Sequence, residues 1–227
     1  MAELKTFLFT DIVGSVELKG EMPGRSDAER DQALAQFASA LATIEPWAAR
    51  PQADRPVTHP ALLFLPRALA GLDVSPELTA AIRAIVPHLR WASTYLDQGP
   101  GAEVARRMTW GEIAGHGALV ETDQLRCGCF LLAPGLIYPP HGHEAEEIYY
   151  VASGAVRFTH GFDDLSDLVR APGYSVTPSG MAHALAVGPD PALIVYCWTG
   201  RLTEPTWWWD KNERGQWRKF TPERSPG

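Results

Sequence analysis

The stretch GLIYPPHGHEAEEIYYVASG, residues Gly135–Gly154, decides the fold of this 227-residue chain. It follows the pattern G-x5-H-x-H-x3-E-x6-G, in which His141, His143 and Glu147 carry metal-binding chemistry. Two imidazoles and one carboxylate so close together provide nitrogen and oxygen donors that suit zinc, iron, manganese or nickel. Because the two histidines are two residues apart, one strand presents both to the same face. The stretch therefore predicts a site for one divalent transition metal on β-structure.

A second pattern lies downstream and reads Gly173-x4-Pro178-x-Gly180-x2-His183. Its proline and glycine are typical of a turn, which can deliver His183 from another strand. Four potential ligands at this spacing favour a metal site over isolated core or surface histidines. The other four histidines lack such neighbours, and we expect them to be structural or solvated: His59, His88, His116 and His160.

The two patterns together resemble the two signature motifs of the cupin superfamily. The second motif has one residue fewer before its proline, and Val187 stands where the family has asparagine. Neither departure removes a ligand. The resemblance implies a small β-barrel, the double-stranded β-helix, with a metal held inside it. The implied ligands are His141, His143, Glu147 and His183.

The sequence before this barrel predicts an α-helical extension. The capping pattern Ser26–Glu29 begins a helix with apolar residues at helical spacing, and Pro46 ends it. After a proline-rich connector, Ser75-Pro76 begins a second helix, which Pro87 should kink or end. We predict that residues 1–105 form a helical region packed on the barrel and that residues 106–227 form the barrel with its metal site.

From about Leu119 the texture changes to short strands separated by glycine and proline, as in a sandwich or barrel. The fold is therefore predicted to be mainly β. The predicted strands are Leu125–Leu132, Glu147–Ala152, Ala155–His160, Tyr174–Thr177, Ala182–Val187, Leu193–Thr199 and one near Gln216–Phe220.

Composition and charge narrow the class of protein. A hydrophobic share of 45% and a charged share of 21% are ordinary for a soluble globular protein. The net charge of -7 argues against a nucleic-acid partner, which prefers a basic face. No apolar run approaches the ~20 residues of a membrane span, and three cysteines do not make a disulfide framework. We expect a cytoplasmic protein with no membrane partner.

The segment Gly135–Tyr149 resembles the cupin-type dimethylsulfoniopropionate (DMSP) lyases. Tyr149 stands two residues after the carboxylate, and Tyr138 three before the first histidine. The similarity extends roughly over residues 87–200, including Trp110-Gly-Glu-Ile and the segment 193–200. It implies that Tyr149 is the catalytic base and that Tyr138 assists or binds the substrate. Residues 1–60 resemble no part of that family; within them, residues 7–15 resemble the first strand of class III nucleotide cyclases, but helices follow instead of further strands.

The implied substrate is a small zwitterion with a carboxylate at one end and a sulfonium at the other. Its cleavage to acrylate and dimethyl sulfide is a β-elimination that removes a proton next to the carboxylate. A metal that holds the carboxylate stabilises the developing charge, and it also lowers the pKa of a neighbouring phenol from ~10. Aromatic faces attract the sulfonium, and for this role we predict Trp198, Trp207 and Trp209.

Other functions remain open at the level of sequence. The same ligand set serves cupin dioxygenases and isomerases that act on other small carboxylic acids, in which case Tyr149 is incidental. A non-catalytic ligand-binding cupin is the third alternative, although intact ligands disfavour it. The identity of the metal, the physiological substrate and the oligomeric state are not fixed by the sequence; because cupins often pair through barrel faces, a homodimer is one possible state.

Overall fold

The computed structural model describes residues 27–42, 58–162 and 166–223. The predicted cap at Ser26 and the cyclase-like segment lie outside these residues. The described α-helices are α1 (Asp27–Ala42), α2 (Leu65–Ala70), α3 (Pro76–Ile85) and α4 (Ala102–Arg107). The described strands are β1 (Trp91–Ala92), β2 (Met108–Gly115), β3 (Val120–Glu121), β4 (Arg126–Leu132), β5 (Ile137–Gly142), β6 (Ala145–Ser153), β7 (Ala155–His160), β8 (Ser166–Arg170), β9 (Gly173–Thr177), β10 (His183–Val187), β11 (Ala192–Gly200), β12 (Trp207–Lys211) and β13 (Trp217–Phe220).

The strands form two sheets, and the chain passes back and forth between them. The seven-stranded sheet has the order β1-β2-β4-β11-β6-β9 with β3 beside β2, and the six-stranded sheet has the order β13-β12-β5-β10-β7-β8. From β4 onward, successive strands or hairpins alternate between the two sheets, and all pairings except β2 with β3 are antiparallel. This arrangement confirms the predicted mainly β, cupin-type architecture with helices in front of it.

Helices α1, α2 and α3 cover one face of the seven-stranded sheet. Leu78 and Ile82 of α3 are fully buried and share a core with the odd-numbered residues 193–197 of β11. The even-numbered residues 192–196 of the same strand face the other sheet and enter a second, inner core. Since successive side chains of a strand point to opposite faces, one sheet separates the helical layer from the barrel interior.

Helix α3 begins and ends where the sequence predicts. The hydroxyl of Ser75 accepts a hydrogen bond from the Leu78 amide at 3.1 Å, and Pro76 occupies the first turn. The helix ends at Ile85, and a single 3-10 turn containing Pro87 follows. Among the described residues, no helix combines the length and the apolar character that crossing a membrane would need.

Six of the described strands are absent from the predicted set: β1, β2, β3, β5, β8 and β12. Strand β5 contains the pair Pro139-Pro140, and proline cannot donate a ladder hydrogen bond. In the structure the strand continues through both prolines, and a register shift in its pairing with β10 accommodates them. The register shift changes which side chains of β5 face the barrel interior.

Candidate active site

The four predicted ligands are all buried in the inner part of the barrel, with exposed fractions of 3% or less. His141 lies on β5 and pairs with His183, the first residue of β10. His143 follows β5 directly, and Glu147 lies on β6. The turn before His183 is tied to the first motif, because the Gly180 amide donates to the His143 carbonyl at 2.8 Å. Gly180 has a φ of +73°, which few other residues adopt.

Three of the four side chains gather into one compact group. Ligand atoms of His143, Glu147 and His183 all lie within 4.8 Å of one another. His143 Nε2 is 3.0 Å from Glu147 Oε2, and His183 Nε2 is 3.4 Å from Glu147 Oε1. We refer to these three residues as the His–Glu–His group.

His141, the fourth predicted ligand, lies next to that group, outside the set of ligand atoms within 4.8 Å of one another. Its ring is stacked on Tyr138, with centroids 3.6 Å apart and planes 9° apart. On its other side the His183 ring lies 4.0 Å away. Packing between these two rings holds His141 beside the His–Glu–His group rather than within it.

Backbone carbonyls orient every histidine of the site. The Nδ1 atoms of His141, His143 and His183 lie 2.9, 3.0 and 3.1 Å from the carbonyl oxygens of Pro139, Ala145 and Met181. An Nδ1–H that donates to a carbonyl leaves the lone pair of Nε2 for a metal. The three imidazoles are thus oriented as ligands before any metal binds.

The electrostatics also favour the protonation states that a metal requires. Burial lowers the pKa of His183 to about 4 and the pKa of His141 well below its ordinary value. Burial alone would raise the pKa of Glu147, but the neighbouring His183 and His143 lower it below the ordinary carboxyl value. The His183 Nε2 and Glu147 Oε1 atoms have no hydrogen-bond partner among the described residues. Buried polar atoms are costly when unpaired, so this donor set fits a divalent cation.

Tyr149 lies beside the carboxylate, as its position two residues after Glu147 predicts. Its side chain is 3% exposed, and its phenol lies close enough to Glu147 for each group to affect the pKa of the other. Burial raises the pKa of the Tyr149 phenol well above its ordinary value, and the Glu147 charge raises it further. The phenol therefore stays protonated unless a positive charge lies close to it.

Tyr138 also points into the barrel, although strict alternation would put it on the opposite face from His141. Tyr138 and His141 are three positions apart on β5, but their partners on β10, Leu185 and His183, are only two apart. The extra residue on β5 is a β-bulge, which restores a common face. The bulge is the reason that Tyr138 stacks on His141.

A buried aromatic cluster, which the sequence did not predict, lies next to Tyr138. Tyr95 is 1% exposed, and its hydroxyl is hydrogen-bonded to the hydroxyl of Tyr138. The indole N–H of Trp208 donates to the same Tyr95 hydroxyl at 2.9 Å. Tyr95 stands in an irregular segment after β1 with no motif around it, so no sequence pattern identified it.

The structure corrects the expectation for two of the three predicted tryptophans. Trp208 pairs with His141 and therefore faces inward, whereas Trp207 pairs with Gly142 and faces outward. Trp209 lies on the outer face as well, against Phe162 with ring centroids 5.3 Å apart. Because successive side chains alternate along β12, Trp208 faces the barrel interior, and Trp207 and Trp209 face away from it.

Trp198, the third predicted tryptophan, does reach the His–Glu–His group. Its ring stacks on His143 with centroids 4.3 Å apart and planes 26° apart. On the side of β11 that faces the inner core, it contacts Tyr196 at a centroid distance of 6.1 Å. Trp198 is therefore a neighbour of a candidate ligand, not only a candidate substrate contact.

The fold and the site define a cupin that carries a buried His–Glu–His group in its barrel. The model of the dimethylsulfoniopropionate lyase family matches residues 29–194. Dimethylsulfoniopropionate lyase DddQ of Ruegeria pomeroyi is 32% identical over 182 residues, which cover 76% of this chain and 84% of that protein. The chain therefore belongs to the DMSP lyase family and is an enzyme of the carbon–sulfur lyase type.

Solved structures agree with this assignment. The crystal structure of DddQ from Ruegeria pomeroyi DSS-3 superposes with a TM-score of 0.60 and 26% identity, over 80% of this chain and 96% of that one. A chain from the crystal structures of the DMSP lyases RdDddP and RnDddQII gives a TM-score of 0.61 and 29% identity, over 79% and 93% of the two chains. The similarity covers nearly the whole of both solved chains and about four fifths of this one.

Proposed function

We propose that this protein is a metal-dependent DMSP lyase that uses Tyr149 as its base. The observation that carries the proposal is the contact between Tyr149 and Glu147, a carboxylate that belongs to the buried His–Glu–His group. A base beside a metal ligand is what a β-elimination next to a carboxylate requires. Membership of the DMSP lyase family supports the choice of substrate.

His143, Glu147 and His183 would hold the metal, and zinc, iron, manganese and nickel all accept such ligands. When bound, the metal supplies Lewis-acid stabilisation of negative charge on the substrate carboxylate and lowers the pKa of the adjacent phenol. The carbonyl contacts of the Nδ1 atoms of His143 and His183 keep these two rings oriented toward it. His141 stacks on Tyr138 and lies next to His183, and we propose that it shapes the site.

In the proposed reaction the Tyr149 phenolate takes a proton from the carbon next to the substrate carboxylate. The electron pair of that C–H bond forms the C=C bond of acrylate, and the C–S bond breaks with both electrons going to sulfur. Dimethyl sulfide leaves as a neutral molecule, so the sulfonium end needs no general acid. The phenol then returns its proton to water.

The aromatic cluster of Tyr95, Tyr138 and Trp208 is suited to the sulfonium end of the substrate. A cation is attracted to the faces of such rings, most strongly to an indole. Tyr138 and Trp208 have ring centroids 5.7 Å apart, and both lie next to His141. We propose this cluster in place of Trp207 and Trp209, and we keep Trp198 as a further contact because it adjoins His143.

The proposal also includes the cellular setting expected from the sequence. The cysteines Cys127, Cys129 and Cys197 are all free and buried, in agreement with a reducing cytoplasm. A homodimer formed through barrel faces remains a prediction, which the molecular mass in solution would test.

The experiment that tests the function is gas chromatography of dimethyl sulfide released from DMSP by the purified protein. We expect release with equimolar acrylate, loss of release after chelation, and recovery when a divalent metal is restored. Activity should be equal with and without oxygen, which separates a lyase from a dioxygenase. Protein with a bound metal that releases no dimethyl sulfide would contradict the proposal.

A further inference from the structure

A partly buried ion pair, in which the Arg126 side chain is 31% exposed, lies beside two indoles on the inner face of the seven-stranded sheet. Glu112 is 9% exposed and accepts a hydrogen bond from Nε of Arg126 on the neighbouring strand. The Arg126 guanidinium lies 5.7 Å from the centroid of the Trp110 ring and 5.4 Å from that of Trp198. We call Trp110, Arg126 and Trp198 the indole–arginine stack.

The stack continues directly to the His–Glu–His group. Arg126 and Trp198 are cross-strand partners between β4 and β11, so their side chains share a face. The opposite neighbour of Trp198 is the His143 ring, which it covers at 4.3 Å. His143 in turn is 3.0 Å from Glu147. Contacts therefore run without a gap from Arg126 through Trp198 to a candidate metal ligand.

Arg126 is itself held in place. Its partner Glu112 also lies near Tyr196, a buried side chain of β11 that influences the pKa of the carboxyl group. An ion pair that is largely withdrawn from water gives little net stability, because both charges lose part of their hydration. The charged pair therefore points to a need for a fixed geometry.

We propose that Arg126 is a positioning residue of the metal centre. With Glu112 as its anchor, it holds Trp198 face to face with His143 and so fixes the plane of that imidazole. The Nδ1 contact with the Ala145 carbonyl fixes one direction of the His143 ring, and the Trp198 face restrains rotation about it. This inference rests on the proposed metal site and adds to it a residue that touches neither metal nor substrate.

The test compares zinc affinity among three variants, measured by competition with a chromophoric chelator. Glu112→Gln with Arg126→Met removes both charges together, so no unpaired buried charge remains. Arg126→Lys keeps a cation that can lie over the indoles. Arg67→Met with Asp190→Asn removes an exposed ion pair far from the site as a matched control. Melting temperatures and circular dichroism establish that each variant is folded.

We expect the Glu112→Gln, Arg126→Met protein to fold and to bind zinc about 10–100-fold more weakly, which is the usual effect of losing a group that supports a ligand. Arg126→Lys should recover most of the affinity, and the control should match the wild type. With cobalt in place of zinc, the visible absorption bands should shift in the double variant only. Wild-type affinity and an unchanged cobalt spectrum in the folded double variant would overturn the inference.

Zinc affinity tests the positioning role of Arg126, and dimethyl sulfide release tests the lyase function, so either claim can fail while the other stands. If the double variant keeps full zinc affinity while the wild type releases dimethyl sulfide, the positioning role fails and the lyase function stands. If zinc affinity falls as expected but the wild type releases no dimethyl sulfide, the positioning role stands and the lyase function fails.

Discussion

His183 Nε2 and Glu147 Oε1 lie 3.4 Å apart in the barrel interior, and neither has a hydrogen-bond partner among the described residues. Both side chains are 1% exposed or less. Two such atoms left unpaired would each cost about 1–3 kcal/mol. A divalent cation that binds both atoms removes this cost, and this is the physical basis for the metal centre.

We predict that His183→Ala reduces the metal content to background. The two ligands that remain in the group, His143 and Glu147, cannot hold a transition metal tightly on their own. Elemental analysis of the purified variant measures this directly. His116→Ala is the matched control, since the His116 side chain is fully exposed. Full metal retention in His183→Ala would show that the second motif does not supply a ligand.

We predict that Tyr95→Phe lowers the free energy of unfolding by about 1–3 kcal/mol, because the buried indole N–H of Trp208 loses its acceptor. The metal content should stay unchanged, and turnover of DMSP should fall because Tyr138 loses its hydroxyl partner. Urea unfolding measures the stability change. In a double-mutant cycle with Trp208→Phe the two effects should be non-additive; strict additivity would contradict the hydrogen bond.

A third prediction concerns the tryptophans of β12. Trp208→Phe should raise KM for DMSP several-fold, since a phenyl ring attracts a cation less than an indole does. Trp209→Phe should leave KM unchanged because its ring lies on the outer face of the sheet. Steady-state kinetics of the two variants measure the difference. A larger KM effect in Trp209→Phe would place the sulfonium outside the barrel mouth.

A fourth prediction follows from His59, which joins the segment before α2 to α4. Its Nδ1 accepts from the Ala61 amide at 3.1 Å, and its Nε2 lies 2.7 Å from the Ala105 carbonyl. Burial lowers the pKa of His59 below 6.5. The unfolded chain therefore binds this proton first as the pH falls, so stability is complete above pH 6.5 and decreases below it.

His59→Gln should remove that share of the pH dependence, because an amide can make both hydrogen bonds without titrating. The measurement is the urea midpoint of the wild type and the variant on either side of the histidine titration. We expect similar midpoints above pH 6.5, and a midpoint of the variant that exceeds that of the wild type increasingly as the pH falls below 6.5. A difference that is the same at every pH would refute the role of His59.

The sequence predicted the site better than the parts of the fold around it. The motif spacing and the cupin resemblance predicted His141, His143, Glu147 and His183 as ligands, and the structure brings His143, Glu147 and His183 together. Strand alternation placed Tyr149 beside Glu147. It failed at Tyr138, where a bulge that is visible only in the pairing of β5 with β10 changes the parity.

Sequence patterns could not predict contacts between segments that are far apart along the chain. Tyr95 and Trp208 are 113 residues apart and meet only because β12 pairs with β5 in one register. His141 fits the ligand motif, yet its stacking on Tyr138 depends on the β5 bulge. Similarly, Arg126 reaches His143 through Trp198, and no single stretch of sequence contains that chain of contacts.

The most direct test of the account is Tyr149→Phe with Tyr150→Phe as its control. Tyr149 faces the His–Glu–His group, whereas Tyr150 packs in the core under the helices. We predict that Tyr149→Phe keeps the wild-type metal content and loses at least about 100-fold in dimethyl sulfide release, the usual contribution of a general base. Tyr150→Phe should keep both. Near-normal release by metal-loaded Tyr149→Phe would contradict the assignment of Tyr149 as the base.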